Sequence, residues 1–111
     1  MRSLIIALAA ALALGGGAAL AQTSSPEPLA LVHIKNFAYV PEAITIRAGQ
    51  NVRFVEDDAT PHTVTAVDKS FDSGNLDQHA TWTHAFAKEG TYAYFCAYHP
   101  YMKGSVTVKA P

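Results

Sequence analysis

One cysteine, two histidines and one methionine are the residues of this sequence best suited to binding a transition metal. Cys96, His99 and Met102 follow one another at Cys-x2-His-x2-Met spacing, and Cys96 is the only cysteine of the chain. A second imidazole, His62, lies far upstream, directly after Pro61. A thiolate, two imidazoles and a weakly bound axial thioether form the donor set of blue-copper electron-transfer sites. If the fold brings His62 to the other three, these residues predict a site that moves single electrons.

Two other kinds of chemistry use some of the same residues. Structural zinc sites are closed tetrahedra of cysteine and histidine, and methionine is not among their usual ligands. A Cys-His pair can also act as a nucleophile and its base, which requires an orienting partner and a substrate pocket. The sequence contains no second cysteine and displays no such partner. Copper therefore fits the donor set better than zinc or catalysis, which stay as alternatives.

The first residues have the pattern of a signal peptide. Arg2 supplies the positive charge, 4–14 is an apolar core, and Ala19-Leu20-Ala21 matches the small-residue cleavage motif. A membrane anchor is the alternative, but 4–21 is short for a segment that must cross a bilayer. We therefore expect cleavage after Ala21, export to the periplasm, and a mature chain without a membrane span.

The expected mature chain, 22–111, is long enough for one small domain. It begins with a polar, proline-containing lead-in, 22–28, that we expect to be flexible. Seven basic and nine acidic side chains remain once Arg2 is removed, so the net charge is near −2, which argues against nucleic-acid binding. In an oxidising compartment small domains usually pair their cysteines. A lone Cys96 cannot form an internal disulfide, and its neighbours favour a role as a metal ligand.

Short alternating runs separated by turn residues indicate an all-β domain, either a two-sheet sandwich or a barrel. In 90–96, Tyr92, Tyr94 and Cys96 occupy one face of a strand, so that Cys96 stands at the strand's end. We expect His99 and Met102 to lie on the loop that connects this strand to Ser105.

The remaining histidines and the acidic run have simpler interpretations. We expect His33 to face solvent or fill a structural role, His79 to lie on the surface, and His84 to pack beside Trp82. We interpret the acidic run 56–58 as a solvated surface.

Several segments resemble the cupredoxins, and most of all the short-loop periplasmic cupredoxins of the amicyanin type. The resemblance covers 29–109 in collinear order. It is carried by Asn36-Phe37-Ala38-Tyr39-Val40-Pro41, Ala48-Gly49, Pro61-His62-Thr63-Val64, Phe71-Asp72-Ser73-Gly74 and the whole run from Gly90 to Gly104. Two residues separate Cys96 from His99, and two separate His99 from Met102, as in the amicyanin loop.

The resemblance implies a Greek-key β-sandwich, with the domain spanning 29–111. By this likeness His62, Cys96 and His99 are equatorial ligands of one type 1 copper ion, and Met102 is the axial ligand. His99 would then be the electron port, surrounded by an apolar docking patch of Tyr98, Pro100 and Tyr101. We also expect a monomer that is not an enzyme. Its partners would be transient redox proteins, such as a dehydrogenase, a cytochrome or a reductase.

One position departs from the family pattern. Many members have an asparagine six residues before the first histidine, where its amide braces the two ligand-bearing segments, and this chain has Glu56 there. Glu56 either accepts backbone hydrogen bonds as a carboxylate or turns outward. Because groups behind the ligands tune a metal site, Glu56 and Thr63 are candidates for contacts to the ligand side chains.

A periplasmic copper-binding or copper-delivery protein without an electron-carrier role is the alternative function. Copper delivery favours exposed, methionine-rich sites that exchange metal readily. Met102 is the only methionine left once Met1 is removed with the leader, which argues against such a carrier.

Overall fold

Residues 29–111 are described by a computed structural model, so the predicted signal peptide (1–21) and lead-in (22–28) lie outside the described residues. The described part of the chain contains eight strands and no helix. The strands are β1 (Ala30–Lys35), β2 (Ala38–Val40), β3 (Ala43–Arg47), β4 (Asn51–Glu56), β5 (Thr65–Ala66), β6 (Thr81–Ala85), β7 (Gly90–Cys96) and β8 (His99–Lys109). No helix in residues 29–111 is long and apolar enough to cross a membrane.

The strands form two four-stranded sheets. One has the order β2-β1-β4-β6 and the other the order β3-β8-β7-β5. β1 runs parallel to β4, and β3 runs parallel to β8, while the remaining neighbours are antiparallel. This arrangement confirms the predicted all-β, two-sheet architecture.

The core lies between the sheets because alternate residues of each strand point inward. Val32 and Ile34 of β1 and Val52 and Phe54 of β4 are completely buried. From the opposite sheet, β7 and β8 contribute Tyr94, Cys96, Val106 and Val108 to the same core cluster. Each large apolar side chain buried in this way contributes roughly 1.5–3 kcal/mol to folding.

The hairpin of β7 and β8 corrects one sequence-based prediction. As predicted, Cys96 ends a strand, but His99 and Met102 do not lie on a loop that runs to Ser105. The turn consists of Ala97 and Tyr98 alone, and β8 begins at His99. Cys96 pairs with His99 across the turn, after a register shift between Phe95 and Cys96. Residues 100–102 lie within this register shift, and pairing resumes with Lys103 opposite Phe95, an arrangement that the spacing of donor residues could not indicate.

A close approach inside this hairpin depends on glycine. Tyr94 lies opposite Gly104 in the β7–β8 register, with its ring over the glycine. A Cβ atom at position 104 would lie 2.5 Å from Tyr94 Cζ, closer than real contacts allow. Gly104 thus makes room for the buried ring that precedes Cys96.

Candidate metal centre

Three donor atoms from two separate segments converge at one end of the sandwich. Cys96 Sγ lies 3.8 Å from His62 Nδ1 and 3.7 Å from His99 Nδ1. These three side chains form a group whose ligand atoms all lie within 4.8 Å of one another. The fold therefore brings His62 to the Cys96–His99 hairpin, as the sequence analysis requires.

The spacing of these atoms suits a central ion. A first-row metal binds thiolate sulfur at about 2.3 Å and imidazole nitrogen at about 2.0–2.1 Å. Two donors that share one such ion therefore stand roughly 3.5–3.8 Å apart. Both observed separations lie in this range. The Cys96, His62 and His99 side chains therefore fit a metal site with a His2Cys donor set.

Met102 is buried at the same end of the domain. It lies on β8, three residues after His99, and is 2 % exposed. A cavity of about 150 Å³ borders it and is lined also by Phe37, Tyr39 and Tyr101. The Met102 side chain is thus largely shielded from bulk solvent.

The three converging side chains differ in their access to solvent. Cys96 and His62 are completely buried, whereas His99 is half-buried. The rings of Phe37 and Tyr101 stand edge-on to His99, with centroids 5.1 and 6.0 Å away. Among these three ligands, His99 alone reaches the surface.

Thr63 connects the two ligand-bearing segments. Its backbone N–H donates to Cys96 Sγ at 3.4 Å, and its hydroxyl accepts a hydrogen bond of 2.8 Å from the N–H of Ala97. The Tyr39 hydroxyl donates to the Thr63 carbonyl at 2.5 Å. Thr63 thus bonds both the sulfur of Cys96 and the backbone that follows it.

Asp58 is the main contact that sequence reasoning missed. Its carboxylate lies 2.9 Å from His62 Nε2 and also accepts the backbone N–H groups of Asn36 and Phe37. Burial opposes ionisation of this carboxyl, but the N–H groups of Phe37 and Asn36 and the His62 ring outweigh it and hold its pKa below the usual value. The interpretation of 56–58 as a solvated surface is therefore wrong for Asp58.

The other two acidic residues of the run differ from each other. Asp57 is exposed and pairs with His33 Nδ1 at 2.8 Å, as expected for a surface carboxylate and a surface histidine. Glu56 is completely buried, with Oε1 accepting the Asp58 N–H at 2.9 Å. Its Oε2 has no hydrogen-bond partner among residues 29–111.

Glu56 thus points into the protein and accepts a backbone hydrogen bond, the first of the two placements expected for it. A charge on its carboxyl is unfavourable in these surroundings. Desolvation raises the pKa of this carboxyl to about 7, against the backbone N–H of Asp58. The alternation of Val52, Phe54 and Glu56, all buried on one face of β4, was the sequence signal for this placement. A buried carboxyl occupies the position where the family pattern has an amide.

Phe37 is a second contact that the sequence did not indicate. Its ring stands edge-on to His62 at 5.0 Å and to His99 at 5.1 Å, and the side chain is 41 % exposed. The predicted docking residues Tyr98, Pro100 and Tyr101 are exposed around the same end. The Tyr98 hydroxyl donates to Asn75 Oδ1 at 2.9 Å, which orients its ring.

A two-sheet sandwich with one thiolate and two imidazoles converging at one end defines a class of small metal-binding β proteins. Comparison with known proteins identifies the class: the cupredoxin-like domain family matches residues 4–108, so this chain belongs to the cupredoxins. This confirms the resemblance read from the sequence.

Named relatives and solved structures agree with the family match. The chain is 32 % identical over 110 residues to amicyanin-alpha of Methylorubrum extorquens, covering 95 % of this chain and 92 % of that protein. It is 30 % identical over 89 residues to amicyanin of Paracoccus versutus, covering 76 % and 67 %. A reduced amicyanin variant superposes with a TM-score of 0.70 at 24 % identity, covering 77 % and 86 %, which supports the fold. A purple cupredoxin from Nitrosopumilus maritimus gives 0.68 at 30 % identity, covering 72 % and 99 %.

Proposed function

We propose that this cupredoxin is a type 1 blue-copper electron carrier rather than an enzyme. His62, Cys96 and His99 would bind its copper ion, and Met102 would be a fourth, weaker donor. The convergence of Cys96 Sγ with two imidazole Nδ1 atoms at 3.7 and 3.8 Å carries the proposal. Copper bound there supplies a one-electron couple, Cu(II)/Cu(I).

The protein's part in this function is to hold the donors still and to admit electrons at one point. Cys96 and His99 are fixed by backbone pairing, and Thr63 ties them to the segment that carries His62. Donors held in one geometry need little rearrangement when the charge of the site changes, which favours fast electron transfer. The half-buried edge of His99 is the entry point for the electron.

Partner binding takes place around His99. Tyr98, Pro100 and Tyr101 provide an exposed apolar patch beside this ring, and Phe37 extends it. A patch of this size suits a weak, transient encounter with another redox protein, such as a dehydrogenase, a cytochrome or a reductase. The chain works in the periplasm as a monomer, after removal of 1–21.

Electron transfer explains the site better than copper delivery. A delivery site must open to pass on its metal, but Cys96 and His62 are both completely buried. Measuring electron self-exchange and metal exchange on the same copper-loaded protein separates the two functions. Fast self-exchange with slow copper loss is expected, and the reverse order would favour the delivery protein.

The test of the proposal is spectroscopic. Adding Cu(II) to purified 22–111 should give an intense blue absorption and a narrow copper hyperfine splitting, both of which arise from a copper–thiolate bond. Cys96→Ser should abolish the colour, whereas His79→Ala, at an exposed position, should keep it. A colourless Cu(II) adduct of the unmodified protein would refute the proposal.

A further inference from the structure

The turn between β1 and β2 has an unfavourable backbone. Lys35 pairs with Ala38, so Asn36 and Phe37 form a two-residue hairpin turn, with φ of 55° and 57°. Turns with positive φ at both central positions favour asparagine followed by glycine, because a side chain is disfavoured there. Phenylalanine at the second position is a conformational outlier that the surrounding structure must hold in place.

Asp58 supplies the groups that hold this turn. β1 and β4 are parallel with Ile34 opposite Glu56, so the residues that follow them, Asn36 and Asp58, also come side by side. Asp58 Oδ1 accepts the Asn36 N–H at 2.8 Å, and Oδ2 accepts the Phe37 N–H at 2.9 Å. Both backbone donors of the strained turn thus end on one carboxylate.

The same carboxylate determines which nitrogen of His62 is free. Asp58 Oδ2 lies 2.9 Å from His62 Nε2, and an ionised carboxylate only accepts hydrogen bonds. Nε2 is therefore the donor, and in a neutral ring Nδ1, 3.8 Å from Cys96 Sγ, keeps its lone pair. Carboxylates bound to the outer nitrogen orient metal-binding histidines in this way.

The turn places one more group on the site. The Phe37 ring packs edge-on against His62 and His99 together, at 5.0 and 5.1 Å. Within residues 29–111, it is the phenyl ring that packs against both imidazoles. The backbone that carries this ring is the part held by Asp58.

We propose that Asp58 is a positioning residue with two linked tasks. It holds His62 in the Nε2–H tautomer. It also holds the Asn36–Phe37 turn by two hydrogen bonds, so that the Phe37 ring packs against both histidine rings. The metal side of this proposal rests on the proposed function, but the hydrogen bonds and the ring contacts do not. They can be tested on the metal-free protein.

The first experiment uses NMR on metal-free protein and compares Asp58→Ala with Asp57→Ala. Asp57 is the matched control because it is the neighbouring carboxylate, exposed and paired with His33. Asp58→Ala should move the ¹⁵N shifts of His62 away from the Nε2–H pattern and speed amide exchange at Asn36 and Phe37 at least tenfold. Asp57→Ala should change neither.

A conservative variant distinguishes positioning from folding. Asp58→Asn has one acceptor oxygen in place of two, so it can satisfy the turn or the histidine only in part. This variant should fold. Its His62 ¹⁵N shifts and its amide exchange rates at Asn36 and Phe37 should lie between those of wild type and Asp58→Ala. Unchanged His62 shifts and unchanged exchange in both Asp58 variants would overturn the proposal.

The second experiment measures copper affinity by competition with a chelator. Loss of a group behind a ligand typically lowers metal affinity 10–100-fold, which is the drop expected for Asp58→Ala, against less than twofold for Asp57→Ala. If wild type binds no copper, the proposed function fails and the NMR result still decides the role of Asp58. If wild type turns blue and the two alanine variants behave alike in both experiments, the function stands and the positioning role is wrong.

Discussion

The two segments that meet at the metal centre are held by different kinds of force. Cys96 and His99 belong to the β7–β8 hairpin, where backbone pairing and the buried Tyr94 fix their positions. His62 lies in the 57–64 segment between β4 and β5, which contains no strand and only an isolated bridge to Leu76. Here two backbone hydrogen bonds join His62 to Leu76, and the side chains of Glu56, Asp58 and Thr63 add further bonds.

This difference predicts how each segment responds to change. A backbone ladder depends little on which side chains it carries, so the hairpin should be sensitive mainly to steric clashes. Bonds made by carboxylates depend on ionisation and on the side chain itself, so the His62 segment should respond to pH and to single polar substitutions. The rigidity of the site therefore has one steric and one electrostatic source.

The largest effect is expected from overpacking the hairpin. Gly104→Ala would place a Cβ atom 2.5 Å from Tyr94 Cζ, and the buried ring cannot move away without disturbing the core. We expect a loss of about 1–3 kcal/mol in the free energy of unfolding, measured by urea titration. Lys103→Ala, at the exposed neighbouring position, is the control and should stay within about 0.5 kcal/mol. Equal stability of the two variants would mean that the hairpin tolerates steric change.

The ionisation of Glu56 is expected to have an intermediate effect on the free energy of unfolding. Burial raises its pKa to about 7 from an ordinary value of 4.5, so the folded state keeps a proton that the unfolded chain releases. Stability from this group is complete below pH 4.5 and is lost as pH rises through 7, by on the order of 2–3 kcal/mol. His84 acts in the opposite sense, because burial lowers its pKa.

The contribution of Glu56 is isolated by subtraction. The free energy of unfolding is measured from pH 5 to pH 9 for wild type and for Glu56→Gln, which cannot ionise. As pH rises, wild type should lose stability relative to Glu56→Gln. The control Glu89→Gln, at an exposed position, should show the same pH dependence as wild type. A constant difference between wild type and Glu56→Gln would show that Glu56 titrates normally.

The smallest effect is expected at the outer edge of the same acidic run. His33 and Asp57 form a pair at 2.8 Å, with both side chains more than a third exposed. Exposed pairs of this kind contribute about 0–1 kcal/mol and weaken with salt. His33→Ala should therefore change the urea midpoint little, and a loss above about 2 kcal/mol would place Asp57 among the bonds that hold the segment.

The outcome for the acidic run shows where sequence reasoning succeeds and fails. Strand periodicity was sufficient to place Tyr94 and Cys96 inward on β7, and the same periodicity along β4 would have buried Glu56 with Val52 and Phe54. It could not separate Asp57 from Asp58, because both follow the end of the strand. Their different environments come from Asn36, more than twenty residues away.

The sequence by itself determined the donor residues, the all-β class and the position of Cys96 at a strand end, because these follow from residue chemistry and local periodicity. Only the tertiary structure decided that His99 and Met102 lie on a strand and that Asp58 bonds His62. It also decided that the Phe37 ring packs against both histidines. Each of these depends on strand pairing: Cys96 with His99 across the turn, and Ile34 with Glu56 between parallel strands. Register between strands is set by the packing of the whole sandwich, so no local pattern contains it.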